Sequence, residues 1–260
     1  MLFLDMRFYV LFLGSSFGPW SKLYQKGALE TWCDTPNGIT SWSIYQGKNP
    51  KLKCINLALN RLLTSRFLRK HWGAFQKNND FSSIEYQIST NRIQVKILEI
   101  WSNIAVKTMV ALNVVLTNFE FDYLIRANAS CYLNRRALEE FIENFDGDFT
   151  YGGPTLEGKE FVSGWAIVIS PKAIQTILKG GKCAYSDLYD DEAIGMSLKD
   201  AGIAPVSIPY FEIQSLQNLE LVPLKFLESI PFIRVKSSVD GNRTDDLIMR
   251  RLHQRLSENQ

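Results

Sequence analysis

The run Phe8-Tyr9-Val10-Leu11-Phe12-Leu13 constrains this chain more than any other stretch. It has no polar alternation, so a strand made from it must be covered on both faces. It stops abruptly at Gly14-Ser15-Ser16, the small and polar composition of a loop. Strands of this kind belong to layered α/β folds, in which helices cover both faces of a largely parallel sheet. The run is far shorter than the roughly 20 apolar residues of a membrane helix, and Asp5 and Arg7 break the apolar stretch ahead of it. No small-residue cleavage site follows, so a first strand is expected here rather than a signal peptide. No membrane span is expected, and a cytoplasmic bacterial or viral protein fits this N-terminus better than a Golgi-resident one.

The rest of the chain alternates in the same sense. A short helix is expected over residues 23–32 and a second strand over 39–45. Residues 54–77 carry Leu59, Leu62, Leu63 and Phe67 at helical spacing, with a basic, solvated face. Residues 92–97 alternate as a strand, and 104–116 form an apolar helix. A strand over 121–126 stops at Asn128-Ala129-Ser130, and Asn134 is placed to cap a helix over 135–145. A short strand over 148–151 precedes a turn at Gly152-Gly153-Pro154, and a strand over 161–170 is interrupted by Ser163-Gly164. Pro171 opens a helix to Leu178. A helix over 190–200 ends near Gly202, and a strand over 206–211 closes the sheet. Beyond Leu219 the pattern is less regular, with a basic strand over 232–236 and a terminal helix over 245–256. No linker divides the chain, so residues 1–260 are expected to form one α/β domain with a Rossmann-like, mixed, mostly parallel sheet flanked by helices.

Charge excludes one large class of partner. Lys and Arg number 29 against 27 Asp and Glu, a net charge of +2, so nothing favours nucleic acid. Cys33, Cys54, Cys131 and Cys183 form no CxxC pair, and only His71 and His253 could supplement them. That spacing does not suit a structural metal, and free, mostly buried thiols are expected.

The block from about Asn103 to Tyr210 carries the chemistry. In order it shows Ile104-Ala105-Val106-Lys107-Thr108, then Phe121-Asp122-Tyr123-Leu124-Ile125-Arg126, then Tyr132-Leu133-Asn134. Phe161-Val162-Ser163-Gly164-Trp165-Ala166 and Asp190-Asp191-Glu192-Ala193-Ile194-Gly195 follow. This ordered set resembles the β-1,3-galactosyltransferase and Fringe family of inverting glycosyltransferases, which have the GT-A fold. The matching family elements are Leu-x-x-Lys-Thr, an aromatic-rich strand ending in carboxylates, Phe-Val-Asn, Ser-Gly-Gly and Glu-Asp-Val-x-x-Gly.

The resemblance implies a nucleotide-sugar donor and a carbohydrate or other hydroxyl acceptor. It aligns Asp191 with the catalytic aspartate that deprotonates the acceptor, with Asp190 in the glutamate position beside it. It places Ser163 and Gly164 along the donor–acceptor cleft. It also implies a manganese or magnesium ion held by an aspartate cluster, but those positions read Asn128-Ala129-Ser130, poor ligands for a hard cation. No metal ligand is therefore assigned. Asn128 and Ser130 remain donor-binding candidates. Arg126, and behind it Arg234 and Lys236, are candidates to neutralise the leaving diphosphate. Ser15, in the loop after the first strand, is a nucleotide-contact candidate or part of a plain loop.

The plainer readings stand beside these. Arg126 could be a strand-end ion pair, Asp190 and Asp191 could be helix N-terminal acids favoured by the dipole, and Trp165 could be core rather than a sugar platform. A scaffold of this type that binds carbohydrate or nucleotide without catalysis is the alternative to a transferase, and a nucleotidyltransferase is a weaker third.

Overall fold

A computed structural model of the chain describes residues 6–14, 20–33, 39–48, 80–181, 183–239 and 242–258. Ser15, Cys54, His71 and the helix expected over 54–77 lie outside the described residues.

Strand β1 (Phe8–Leu13) is followed by a helical segment, α1 (Trp20–Leu23), that continues as a π-helical turn, Tyr24–Leu29. Strands β2 (Ile39–Lys48), β3 (Tyr86–Ser89) and β4 (Arg92–Leu98) precede helix α2 (Ile104–Asn118). Then come β5 (Tyr123–Ala127), β6 (Cys131–Leu133), α3 (Arg135–Glu143), β7 (Tyr151–Gly153) and β8 (Ala166–Ile169). Helices α4 (Pro171–Leu178) and α5 (Asp190–Asp200) lead to β9 (Val206–Ser207) and β10 (Tyr210–Ile213). The C-terminal part holds α6 (Leu216–Leu221), α7 (Leu224–Ser229) and β11 (Phe232–Val235). A small hairpin of β12 (Ser238–Val239) and β13 (Asn242–Arg243) then leads into α8 (Asp245–Ser257).

The main sheet has the order β3-β4-β2-β1-β5-β8-β7-β9. Strands β4, β2, β1 and β5 are mutually parallel, and β8 returns antiparallel to β5. This is a mixed, mostly parallel sheet flanked by helices. The chain leaves β1 toward β2 on one side and later returns to place β5 on the other. The carboxyl ends of β1 and β5 therefore flank a topological switch point, the crevice where open α/β sheets bind ligands.

The unbroken apolar run explains why β1 lies in the middle. Phe8, Val10 and Phe12 face one core, shared with α3, α8 and a second, three-stranded sheet of order β10-β11-β6. Tyr9 and Leu11 face another core, beneath α2, α4 and α5. The two-residue period of a strand puts Leu124 of β5 on this second face, and Arg126 with it.

Local chemistry sets the helix starts. Asn134 and Ser170 accept from the amides of Ala137 and Ala173 at the N-caps of α3 and α4, and Pro171 fills the first position of α4. Asp190, Asp191 and Glu192 occupy the first turn of α5, where acids favour the helix dipole.

Three expectations need correction. Gly152 and Gly153 are not a turn but part of β7, where a Cβ on Gly152 would stand 2.7 Å from the Val206 carbonyl. Residues 161–165 are not strand, because the chain there bends over α5 before β8 begins at Ala166. The strand expected over 206–211 is split: Pro209 has no amide to give to a ladder, and β9 and β10 on either side of it join different sheets. Cys33, Cys131 and Cys183 are buried. Among the described residues no helix is long and apolar enough to cross a membrane.

Gly195 fixes how closely α5 approaches the bend, since a Cβ there would meet the Phe161 Cβ at 2.3 Å. Gly195→Ala gains about 1 kcal/mol of helix propensity but overpacks the contact at a cost of about 1–3 kcal/mol. A net loss of stability is expected, read as a lower urea midpoint at unchanged slope.

Candidate active site

Beneath the switch point lies a buried polar cluster. Arg126, at the end of β5, is 2% exposed and ion-paired through Nη2 to Oδ2 of Asp190. Thr108 of α2 donates to the same carboxylate oxygen at 3.2 Å. Tyr45 of β2 lies 2.9 Å from the Thr108 hydroxyl and 3.5 Å from Asp190 Oδ2, and accepts from Arg126 Nε at 3.3 Å. Burial pushes the Tyr45 phenol well above its ordinary range, so it stays neutral. Next to it, Lys107 pairs with Glu99 at 2.5 Å and lies over the Tyr45 ring at 5.7 Å. Glu99 also accepts from the amide of Gly47. Two consecutive residues of α2, Lys107 and Thr108, thus tie the helix to the sheet and to α5.

Two of the expected site residues are held in this cluster. The Arg126 guanidinium lies under α2 and α5, paired with Asp190. Asp190 is 3% exposed, and its Oδ2 is engaged by Arg126, Thr108 and Tyr45. Together they anchor the first turn of α5.

Asp191, one residue on, is only partly buried. Its Oδ2 accepts from the amide of Gly164 at 2.8 Å, and its Oδ1 accepts from the amide of Glu192 at 3.0 Å. Burial raises its pKa above the ordinary aspartate value, and the Asp190 charge adds to the rise. Arg126 and the two amides oppose this without cancelling it. Gly164 is required by proximity: a Cβ there would stand 2.7 Å from Asp191 Oδ2.

The bend containing Ser163 and Gly164 also meets the corner after β5. The amide of Asn128 donates to the Trp165 carbonyl at 3.1 Å, and Asn128 Oδ1 accepts from the amide of Ser130 at 2.9 Å. Asn128 and Asp191 are therefore held on two sides of one short segment. The Ser163 amide donates to the Pro154 carbonyl at 2.8 Å, which closes the bend. Trp165 is buried against Tyr210 and Phe232, with the Arg234 guanidinium over its ring at 5.9 Å, and so joins the core. Arg234 also pairs with Glu212 at 3.4 Å. Lys236 is exposed, and its amide donates to Ile213. Among the described residues no hydrogen bond or ion pair joins either basic side chain to Asp191 or Asn128.

Ser130 has partners that the sequence did not point to. Its hydroxyl accepts from Arg243 Nη2 at 2.9 Å and lies 3.4 Å from Oδ2 of Asp245. Asp245, fully buried at the start of α8, is ion-paired with Arg243 and accepts from the Ser237 amide at 2.9 Å. Tyr24, from the π-helical turn, donates to the Leu13 carbonyl at the end of β1.

The corner does not fit a divalent cation. Asn128 Oδ1 is used by the Ser130 amide, the Ser130 hydroxyl is used by a guanidinium, and the nearby carboxylate of Asp245 is already neutralised by Arg243. Hard cations need several carboxylate or carbonyl oxygens free to converge.

No protein-family model matches the chain and no curated protein matches it, so the Fringe-like family is not assigned. Among solved structures, the inositol-1-phosphate CTP transferase from T. maritima is similar over 95% of this chain and 96% of its own, at 9% identity and a TM-score of 0.43. A glycosyltransferase involved in the glycosylation of the major capsid of PBCV-1 is similar over 96% and 99%, at 6% identity and a TM-score of 0.43. At such distances a shared name transfers no residue role.

Proposed function

We propose that the protein is a glycosyltransferase that moves a sugar from a nucleotide donor to a hydroxyl acceptor with inversion. One observation carries this reading: four of the five sequence elements on which the glycosyltransferase resemblance rests are joined by contacts in space. Thr108 and Arg126 contact Asp190, Gly164 contacts Asp191, and Asn128 contacts Trp165. These contacts lie at the carboxyl end of β5, beside the switch point of the sheet.

In this reading Asp191 is the general base. Its carboxylate takes the acceptor proton as the acceptor oxygen attacks the anomeric carbon. The bond from that carbon to the donor diphosphate breaks, and a nucleoside diphosphate leaves. The raised pKa suits a base that works near neutral pH, and the two amides hold its oxygens in place. Asp190 and Arg126 act as positioning residues beneath it.

The test is incubation of the purified protein with a panel of nucleotide sugars and simple sugar acceptors, following nucleoside diphosphate release and product mass. Release coupled to a glycosylated product is the expected result. Binding of a nucleotide without turnover of any donor would favour a non-catalytic binding protein instead. A narrower test is Gly164→Ala. Its methyl group must displace the Asp191 carboxylate, so turnover is expected to fall by about 10–100-fold, as for a misplacement of about 1 Å. A denaturant midpoint close to that of the parent would locate the effect in the site.

A further inference from the structure

The geometry points to Arg243 as the cation of the Asn128–Ser130 corner: a nucleoside diphosphate would be bound there without a divalent metal ion, its phosphate oxygens meeting the guanidinium. This rests on the transferase reading above and adds a fixed donor edge for the phosphate oxygens of the leaving group.

Arg243 is fixed from three directions. Nε donates to Asp245 Oδ1 at 3.1 Å, Nη2 donates to both Asp245 Oδ2 and the Ser130 hydroxyl, and the guanidinium lies over the Trp20 ring at 5.3 Å. Its side chain is 22% exposed although Asp245 beneath it is fully buried. Among the described residues Nη1 takes part in none of these bonds, so the partly exposed guanidinium keeps one nitrogen outside its locked edge. A planar, pre-oriented donor edge of this kind suits phosphate oxygens, and holding it rigid lowers the ordering cost of binding. The same arrangement uses up the oxygens a metal would need. Ser130 and Asp245 both face Arg243, and Asn128 Oδ1 faces the backbone.

Calorimetric titration of the full chain with uridine and guanosine 5′-diphosphates, in EDTA and then in manganese, tests this. One nucleotide is expected to bind with affinity that differs by less than about twofold between the two conditions. Replacing Arg243 alone would leave Asp245 buried and uncompensated. The double variant Arg243→Gln/Asp245→Asn is therefore used, and it is expected to weaken binding by about tenfold, as for loss of a charge-assisted hydrogen bond. Arg243→Lys keeps the pair with Asp245 and the charge but loses the planar fork, so a smaller loss is expected of it. A manganese-dependent gain of about tenfold or more, or unchanged affinity in both variants, would overturn the role of Arg243 while leaving the transferase reading standing. Failure of both nucleotides to bind the parent protein under any condition would overturn both.

Discussion

Replacing Arg126 by methionine is expected to destabilise the protein by about 3–5 kcal/mol, the usual cost of stripping one partner from a buried ion pair. Against a total stability of about 5–15 kcal/mol this is a large fraction. The cost arises from what remains. Asp190 would be left at 3% exposure without its guanidinium partner, beside the Thr108 and Tyr45 hydroxyls. The double variant Arg126→Met/Asp190→Leu is expected to recover most of the loss. It removes both charges, and the two hydroxyls still satisfy each other at 2.9 Å. Guanidinium denaturation of the parent, both single variants and the double variant closes the cycle and gives the interaction energy directly. If Arg126→Met instead unfolds within about 1 kcal/mol of the parent and loses nucleotide affinity, the guanidinium serves a ligand, as the sequence alone suggested, and the buried pair is not what holds α5.

That contrast shows where the sequence was readable and where it was not. The central strand could be read because an unbroken apolar run has only one environment that suits it, between two covered faces. The starts of α3, α4 and α5 could be read because Asn134, Ser170-Pro171 and the acids at 190–192 are local devices that act within one turn. The fate of Arg126 could not be read from its own neighbourhood, where a charge at a strand end suggests solvent. The clue lay in the strand period: Arg126 shares the face of Leu124, and that face is covered by α2 and α5. The second sheet was hidden because its strands are too short to show a period. Its pairing also joins Cys131 to Arg234, far apart in the chain. The partnership of Ser130 with Arg243 and Asp245 is equally non-local, since it depends on how the β12–β13 hairpin and α8 return to the corner after β5. The bond between Gly164 and Asp191 is non-local too, since it depends on how α5 packs against the bend.

Replacing Asp191 by asparagine is expected to lower the transfer rate by about 10²–10⁴-fold, the usual contribution of a positioned general base, while leaving the fold in place. Asparagine has the same shape, and its carbonyl oxygen can still accept from the Gly164 amide, so the bend and α5 keep that contact, while the Glu192 amide, left facing Nδ2, loses its acceptor. Two pH profiles make the assignment testable beyond the loss of rate. A base must be ionised to act, so kcat/KM of the parent should fall on acidification through the raised pKa of Asp191, above the value of about 3.9 for a free aspartate. The residual activity of the variant should lack that limb. Stability should move in the opposite direction. A carboxylate whose folded pKa lies above its unfolded value holds its proton more tightly in the folded state, so ionisation penalises folding. That penalty is fully present above the folded pKa and vanishes below the unfolded one. Asparagine removes this pH-dependent penalty, so the stability of the variant relative to the parent should rise as the pH increases from about 4 toward neutrality. A variant that is nearly inactive, stripped of its acid limb and relatively more stable as the pH rises identifies a base whose ionisation opposes folding, whereas one that retains full activity with purified substrates removes Asp191 from the chemistry.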